Sequence, residues 1–520
     1  MTRKLFRILT RFAELSLVRR AGLLAGGFLV LIFIGILVGN WMAARDWKRY
    51  KAAEEARGEH FDIDSVVPPP VPDELNFAKA ELFAPLFNYE LKRKNATYEE
   101  PVWGDPEGKK ALEEISVTGG EKIPSKNSWI DGRFVNLEAW RDFYRSQPKF
   151  NTKMSEGSAA EEVLEALQVF EKPYSELRAA AARPKARFPV RYEDGVSLKR
   201  PHFQVLMDLA LIVRIRAAAE LALDKRDAAF DDVGVGLKLV ESMEEDPALV
   251  SLLVELHLCD IVLQPIWEGL VRHQWSERQL ASLNSRLGAA NFAAHLQKAM
   301  RGERNVFVLP ALEMIRQNPG SVVSIGNWGP EYENLVLRWA PSAWYDKDKI
   351  FICGLIDQWI ESADPVHRRF DRGKLIAVED EMTRVDQGEL NSYSLARLLL
   401  VSDSEAAETA ARAQSTLNLA CVALALERHR LKHGAYPDSL SLLDQEVGGI
   451  DAFSDPLSGN PPHYIRHGDD QFTLYFNGWN EVDDGGAANW ADSKKIRSDW
   501  RKGDWVWPQV TKPENADQRK

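Results

Sequence analysis

Near the C-terminus the stretch Leu474 to Gly486 reads LYFNGWNEVDDGG, a short β-prone run followed by a polar loop. Its Asp483 and Asp484 supply carboxylate oxygens, which a hard cation such as Ca²⁺ collects in sets of about six to eight. The spacing does not match an EF-hand loop. The same residues also suit a turn in which Asn and Asp bond their own backbone and the glycines take positive φ. His429 and His433 stand four residues apart and share a helix face, with His463 and His467 further along the chain. They would allow a zinc cluster, although no acid or thiol completes a recognised spacing. Their place just before Gly434 also favours the helix dipole. Trp479, Trp490, Trp500, Trp505 and Trp507 crowd the same region. They would make a platform for a sugar or peptidoglycan, or simply the core of a small sheet. No nucleophile elbow, Walker loop, dinucleotide fingerprint or HExxH occurs in the chain.

These residues sit in a chain of 520 residues, long enough for two to four domains. The net charge is −11, from 66 basic and 77 acidic residues, and this balance argues against nucleic acid as a partner. Cys259, Cys353 and Cys421 all lie in apolar stretches. An odd count of such thiols reads as buried hydrophobes rather than a disulfide framework.

Ala21 to Ala43 carries no charge over 23 residues, enough to cross a hydrocarbon core of about 30 Å. Trp41 and Trp47 stand at its far end, where amphipathic rings suit the interface. The run is too long for the apolar part of a cleaved signal peptide, and Trp41 and Met42 fall where small residues would be needed. Arg19 and Arg20 abut it directly, which places residues 1–20 as a cytoplasmic basic tail and the bulk of the chain in the periplasm or outside. Residues 44–74 read as a juxtamembrane helix and a proline-rich, semi-rigid linker.

Residues 75–400 read as an extracytoplasmic, mainly helical domain. Within it 75–150 and 306–400 have no clear pattern. Ser158 to Glu161 and Ser276 to Gln279 are capping boxes, and Asp246-Pro247 reads as a cap followed by proline at the first helical position. The 214–247 segment is similar to a single tetratricopeptide unit, without the repeated copies a solenoid needs. The run 403–432 is the longest clean helix, with Gly434 as its stop.

Beyond that helix the chain runs through an ordered series of turns: HGAYPDSLSLL, SDPLSGNPPHYIR, DQFTLYFNGWN, an Asp/Gly loop and GDWVWP. Gly434, Tyr436, Pro437, Leu440, Asp455, Pro456, Gly459, Asn460, Pro461, Tyr464, Leu474, Tyr475 and Gly478 carry a resemblance to the globular head of the major pseudopilin of type II secretion systems. The resemblance covers about a fifth of the chain. It implies a small α+β head over 401–510, with 511–520 as a disordered tail. It also implies a Ca²⁺ site, with Asn480, Asp483, Asp484 and Asp504 at the positions of the family's ligands. Asn480 replaces an Asp of that family. The anchor lies more than 350 residues before the head and no pilin processing site is visible, so polymerisation as a pilin is not expected. The chain as a whole resembles a group of anchored proteins of Planctomycetes and Verrucomicrobia to which no function attaches.

The fold expected is therefore mainly α: an N-terminal transmembrane helix, a periplasmic helical-hairpin array or bundle, and a small pseudopilin-like head with a short antiparallel sheet. The function expected is that of a non-enzymatic, single-pass protein of the cytoplasmic membrane. Its role would be binding or assembly, with the membrane and other envelope proteins as partners. An envelope hydrolase with active groups in 75–150 and 306–400 is one alternative, and a peptidoglycan- or polysaccharide-binding protein is another.

Overall fold

The computed structural model describes residues 16–93, 99–118, 121–125, 127–150, 157–318, 340–387, 394–400, 405–443, 453–487 and 500–510. The basic tail up to residue 15, Trp490 and the tail 511–520 lie outside them. Helix outweighs strand by 64% to 7%, so the mainly α class holds.

In chain order the elements begin with helix α1 (Leu17–Ala56), strands β1 (Tyr89–Arg93) and β2 (Glu99–Trp103), then α2 (Pro106–Glu113) and α3 (Leu137–Ser146). Next come α4 (Ala159–Ala166), α5 (Glu171–Ala181), α6 (His202–Ala222), α7 (Arg226–Glu241) and α8 (Leu249–Val271). After them stand α9 (Glu277–Leu287), α10 (Phe292–Gly302), α11 (Leu309–Gln317) and α12 (Ser342–Ser362). Strands β3 (Ala363–Asp364) and β4 (Arg369–Phe370) precede α13 (Arg372–Asp386), α14 (Ser394–Leu400) and the long α15 (Ala406–His433). The chain closes with β5 (His463–His467), β6 (Gln471–Phe476) and β7 (Trp505–Val506).

The chain forms two compact units. One comprises Met1–Asp62, Val308–Leu355 and Met382–Val401. Its helix α1 has 40 residues, about 60 Å in length, and none of its most apolar window is buried. The juxtamembrane segment continues this helix without a break to Ala56. There Trp47 packs against Tyr50 and Phe61, each with ring centroids 5.8 Å away. The Ala343 amide at the start of α12 donates to Asn40 Oδ1 (2.9 Å), and Lys349 sits over the Trp47 ring.

The other unit comprises Ile63–Phe307, Ile356–Glu381 and Ser402–Lys520. At its centre α6, α7 and α8 pack mutually. Gly236 on α7 permits the approach, because a Cβ there would lie 2.9 Å from Val262 and 3.0 Å from Val213. Helix α8 is apolar nearly all round, and 78% of its most apolar window is inside the protein. It passes the same length and composition test as α1, yet its burial makes it a core helix. Helix α15 packs on α8, α9 and α10, so residues 402–520 share a unit with the helical hairpins.

The expected caps are present. Ser158 with Glu161 and Ser276 with Gln279 form reciprocal capping boxes, and Gly434 ends α15 at φ +85° with its amide on the Arg430 carbonyl (2.8 Å). The turn after α15 is tied back by Glu427, which accepts from Tyr436 Oη (2.9 Å) and Arg430 Nε (2.9 Å) and lies 3.0 Å from His273 Nδ1. The small sheet has order β5-β6-β7, all antiparallel, with Tyr464 opposite Leu474 and Phe476 opposite Trp505.

One local expectation is corrected. Asp246 does not cap a helix; α8 begins at Leu249, and the Asp246 carboxylate instead accepts from Arg200 Nε (3.0 Å) and Tyr192 Oη (3.2 Å). The proline-rich segment is held at Pro68, which is buried and whose carbonyl accepts from Arg187 Nε (2.8 Å).

A buried ionic network joins α5, α6 and α7. Asp232 accepts from Tyr174 Oη (2.7 Å), Arg216 Nε (3.0 Å) and Arg178 Nη2 (3.2 Å), and Glu220 adds a second carboxyl 3.8 Å from Arg216. Burial first, and then the charge of Asp232, push Glu220 up to about 8 against the pull of Arg216. A carboxyl raised in the folded state stabilises the fold below its unfolded value, about 4.3, and that contribution is lost as pH rises through 8. Glu220→Gln, which mimics the protonated form, is expected to raise the melting midpoint by roughly 2–4 °C at pH 8. At pH 5 it should leave the midpoint almost unchanged. Paired thermal melts at the two pH values check this, and an equal shift at both would refute it.

Candidate functional site

The acidic loop that leaves β6 folds back on itself. Gly478 takes φ +67° where a Cβ would meet the Gly503 carbonyl at 2.4 Å, so the two chain segments touch through their backbones. Asp504 then staples the loop: the amides of Asp484 and Gly486 donate to its Oδ1 (3.2 Å) and Oδ2 (2.7 Å). Asp483 Oδ1 accepts from the Gly485 amide (2.9 Å) and Tyr475 Oη (3.0 Å). Asn480 Oδ1 accepts from the Val482 amide (3.1 Å), and its Nδ2 donates to Asp484 Oδ2 (3.0 Å). The Gly485 amide and the Tyr475 hydroxyl hold Asp483 below the usual carboxylate range. Asp504 lies above it, chiefly through burial, with Asp484 and Asp483 adding repulsion that its two amide donors oppose.

Asn480, Asp483 and Asp484 thus lie on one loop, and Asp504 reaches it from the segment before β7. Their oxygens face N–H and O–H donors of the loop itself and of the neighbouring strand, the arrangement of a backbone-satisfied turn. Among the described residues no three of His, Cys, Asp and Glu gather as a metal would need. As arranged, these oxygens are turned to donors of the protein rather than gathered around a common point. The four histidines do not meet at one point: they fall into separate places. His429 and His433 lie with tilted rings 4.2 Å apart, His463 stacks on Tyr475, and His467 Nε2 lies 2.8 Å from Thr473 Oγ1.

The tryptophans lead elsewhere. Trp505 and Trp507 are buried and point to one face of the terminal strand, with the less buried Val506 between them, as strand alternation requires. That face closes one side of a cleft of about 270 Å³ against α8 and α15. Its aromatic walls are Trp129, Trp500, Trp505 and Trp507, with Trp129 and Trp507 5.6 Å apart. The tail is pinned there by Trp267 Nε1, which donates to the Pro508 carbonyl (2.9 Å), and by the Trp507 amide on the Leu474 carbonyl (2.9 Å).

Trp129 is placed by α8. Its indole Nε1 donates to the Asp260 carbonyl (3.0 Å) and to Oδ1 (3.1 Å), and its amide donates to Gln264 Oε1 (2.6 Å). Gln264 is oriented in turn by donating to Glu268 Oε1 (2.8 Å) and to the Arg133 carbonyl (3.0 Å). The cleft wall therefore rests on a hydrogen-bonded layer behind it, the support a preformed site needs.

Two opposite charges face the cleft. Burial holds the Asp260 carboxyl above its ordinary value, while Arg214, His257 and Arg412 draw it down. Arg412, on the α15 face that also carries Thr409 and Thr416, lies 5.8 Å from the Trp500 ring centroid. Burial lowers its pKa and Asp260 opposes this, yet Arg412 has no hydrogen-bond or ion-pair partner among the described residues. A guanidinium is charged at any working pH and carries five donors. Arg412 is half-buried, and its donors are free to meet an acceptor on a ligand.

Sequence reasoning reached Trp500, Trp505 and Trp507 but not Trp129, Asp260 or Arg412. One signal was available for Asp260: it is the lone charge in LCDIVLQPIW, an otherwise apolar helical stretch. No protein-family model, curated protein or solved structure matches this chain.

Proposed function

We propose that this is a non-enzymatic, single-pass protein of the cell envelope whose larger unit binds a ligand in the tryptophan-walled cleft. The N-terminal helix supports the anchor: it is long and apolar enough to cross a membrane, and its apolar window is fully exposed. The single observation that carries the binding role is the cleft itself, with aromatic walls, a supported Trp129 and a guanidinium that no described residue pairs. The binding reading is preferred to hydrolysis because glycoside hydrolysis and related chemistry need two free carboxyl groups across a reacting bond. Of the two carboxylates that line the cleft, Asp504 is committed to the Asp484 and Gly486 amides, which leaves Asp260.

The test is retention of the detergent-solubilised full chain on isolated cell-envelope material. Trp500→Ala and Arg412→Gln are each expected to weaken retention at least tenfold, with melting midpoints unchanged. Retention equal to that of the parent protein in both variants would remove the cleft as the binding site.

A further inference from the structure

Charge and shape in the cleft restrict what it can hold. The floor presents one carboxylate, Asp260, and one guanidinium, Arg412, which attract each other across the cleft without forming an ion pair. A cationic ligand would meet Arg412 and Lys502, and an anionic one would meet Asp260. A ligand with net charge of either sign is therefore opposed by a like charge in the lining. A neutral polyol is not. Each hydroxyl both donates and accepts, so neighbouring hydroxyls can donate to Asp260 and accept from Arg412 at once. Thr409 and Thr416 flank Arg412 on the same helix and offer two further hydroxyls.

The walls agree with the floor. A pyranose ring has an apolar C–H face that lies flat on an indole, and four indoles line this cleft. Trp500 is the half-exposed member, placed at the mouth with Arg412 beside its ring. A volume of about 270 Å³ lies just below the usual range for ligand pockets and suits a single ring rather than a lipid chain or a protein segment.

On the reading that the cleft is the binding site, we infer that its ligand is a neutral carbohydrate, a ring of a glycan chain stacked on tryptophan and bridged by Asp260 and Arg412. The experiment monitors tryptophan fluorescence of the solubilised full chain during titration with tetramers of N-acetylglucosamine and of glucose, and separately with glycine betaine as a zwitterion. One of the neutral oligosaccharides should give a saturable change. Asp260→Asn and Arg412→Gln should each weaken it about tenfold or more, the loss expected for a charge-assisted hydrogen bond. Trp500→Ala, at a half-exposed position, should do the same and guards against loss of fold in the Asp260 variant.

Binding of the betaine alone would overturn the carbohydrate assignment. So would silence with both oligosaccharides while envelope retention still depends on Trp500, and in that case the cleft would stand as a site for another ligand class. Silence in both assays would remove the site and its ligand together.

Discussion

Gly302→Ala is expected to destabilise the larger unit by roughly 3 kcal/mol, at the upper end for overpacking a core. Gly302 is the last residue of α10, and a Cβ built on it would lie 1.6 Å from the Pro247 carbonyl oxygen and 2.6 Å from the carbonyl carbon. Both atoms are backbone, so no rotamer change relieves the overlap and one chain segment must move. The turn is held from several directions. Glu303 Oε1 accepts from the Leu249 amide (2.9 Å), Lys298 Nζ donates to the Glu244 carbonyl (2.8 Å), and Asp246 is bound by Arg200. Alanine would gain about 1 kcal/mol of helix propensity over glycine, so the observed loss is the steric term less that gain. Urea unfolding of the solubilised full chain measures it. A midpoint within error of the parent would mean that the helix and the turn are not in this contact.

Glu255→Leu is expected to cost about 3–5 kcal/mol, the loss seen when one member of a buried ion pair is removed. Glu255 on α8 and His295 on α10 are almost fully buried, and His295 Nδ1 is hydrogen-bonded to Glu255 Oε2. His295 Nε2 lies 3.2 Å from the Asp246 carbonyl, so both ring nitrogens face acceptors and the imidazolium form satisfies both. Burial pushes the His295 pKa down, but the charge and hydrogen bond of Glu255 outweigh it and leave the group above its ordinary value.

That direction sets the pH dependence. A histidine raised in the folded state contributes stability that is full below its unfolded value, about 6.5, and is lost as pH rises through the folded value. The Glu255→Leu penalty should therefore be larger at pH 6 than at pH 9. Combining it with His295→Leu should recover part of the loss, since no unpaired charge is left inside. A penalty independent of pH would mean that the pair is a neutral hydrogen bond. Because the same Asp246 turn receives His295, Arg200 and the Gly302 contact, the two substitutions strike one junction of α8 and α10.

Features legible in the chain in advance share a physical origin. The caps of Ser158 and Ser276, the left-handed Gly434 and the alternation of Trp505, Val506 and Trp507 depend on neighbours within about four residues. Backbone sterics and local hydrogen bonds decide such features, and residue types at fixed spacing report them directly. The uncharged run from Ala21 to Ala43 belongs with them, because length and composition alone make it a helix able to span a bilayer.

Partner choice over long separations was not legible. Asp246 next to proline has the local form of a helix cap, and only the fold offers it Arg200 and Tyr192, which α8 then reflects by starting at Leu249. Asp483 and Asp484 have the composition of a cation loop, and only the fold turns Asp504 toward the amides of Asp484 and Gly486. Trp129, Asp260, Arg412 and Trp507 are scattered over most of the chain and carry no shared motif. They meet because α8 and α15 are each driven into one core by their apolar residues, and this packing carries single polar side chains to a common face. The hydrophobic effect that assembles the helices is non-directional, so the sequence by itself determined which segments are buried, and the tertiary structure decided which polar groups face one another.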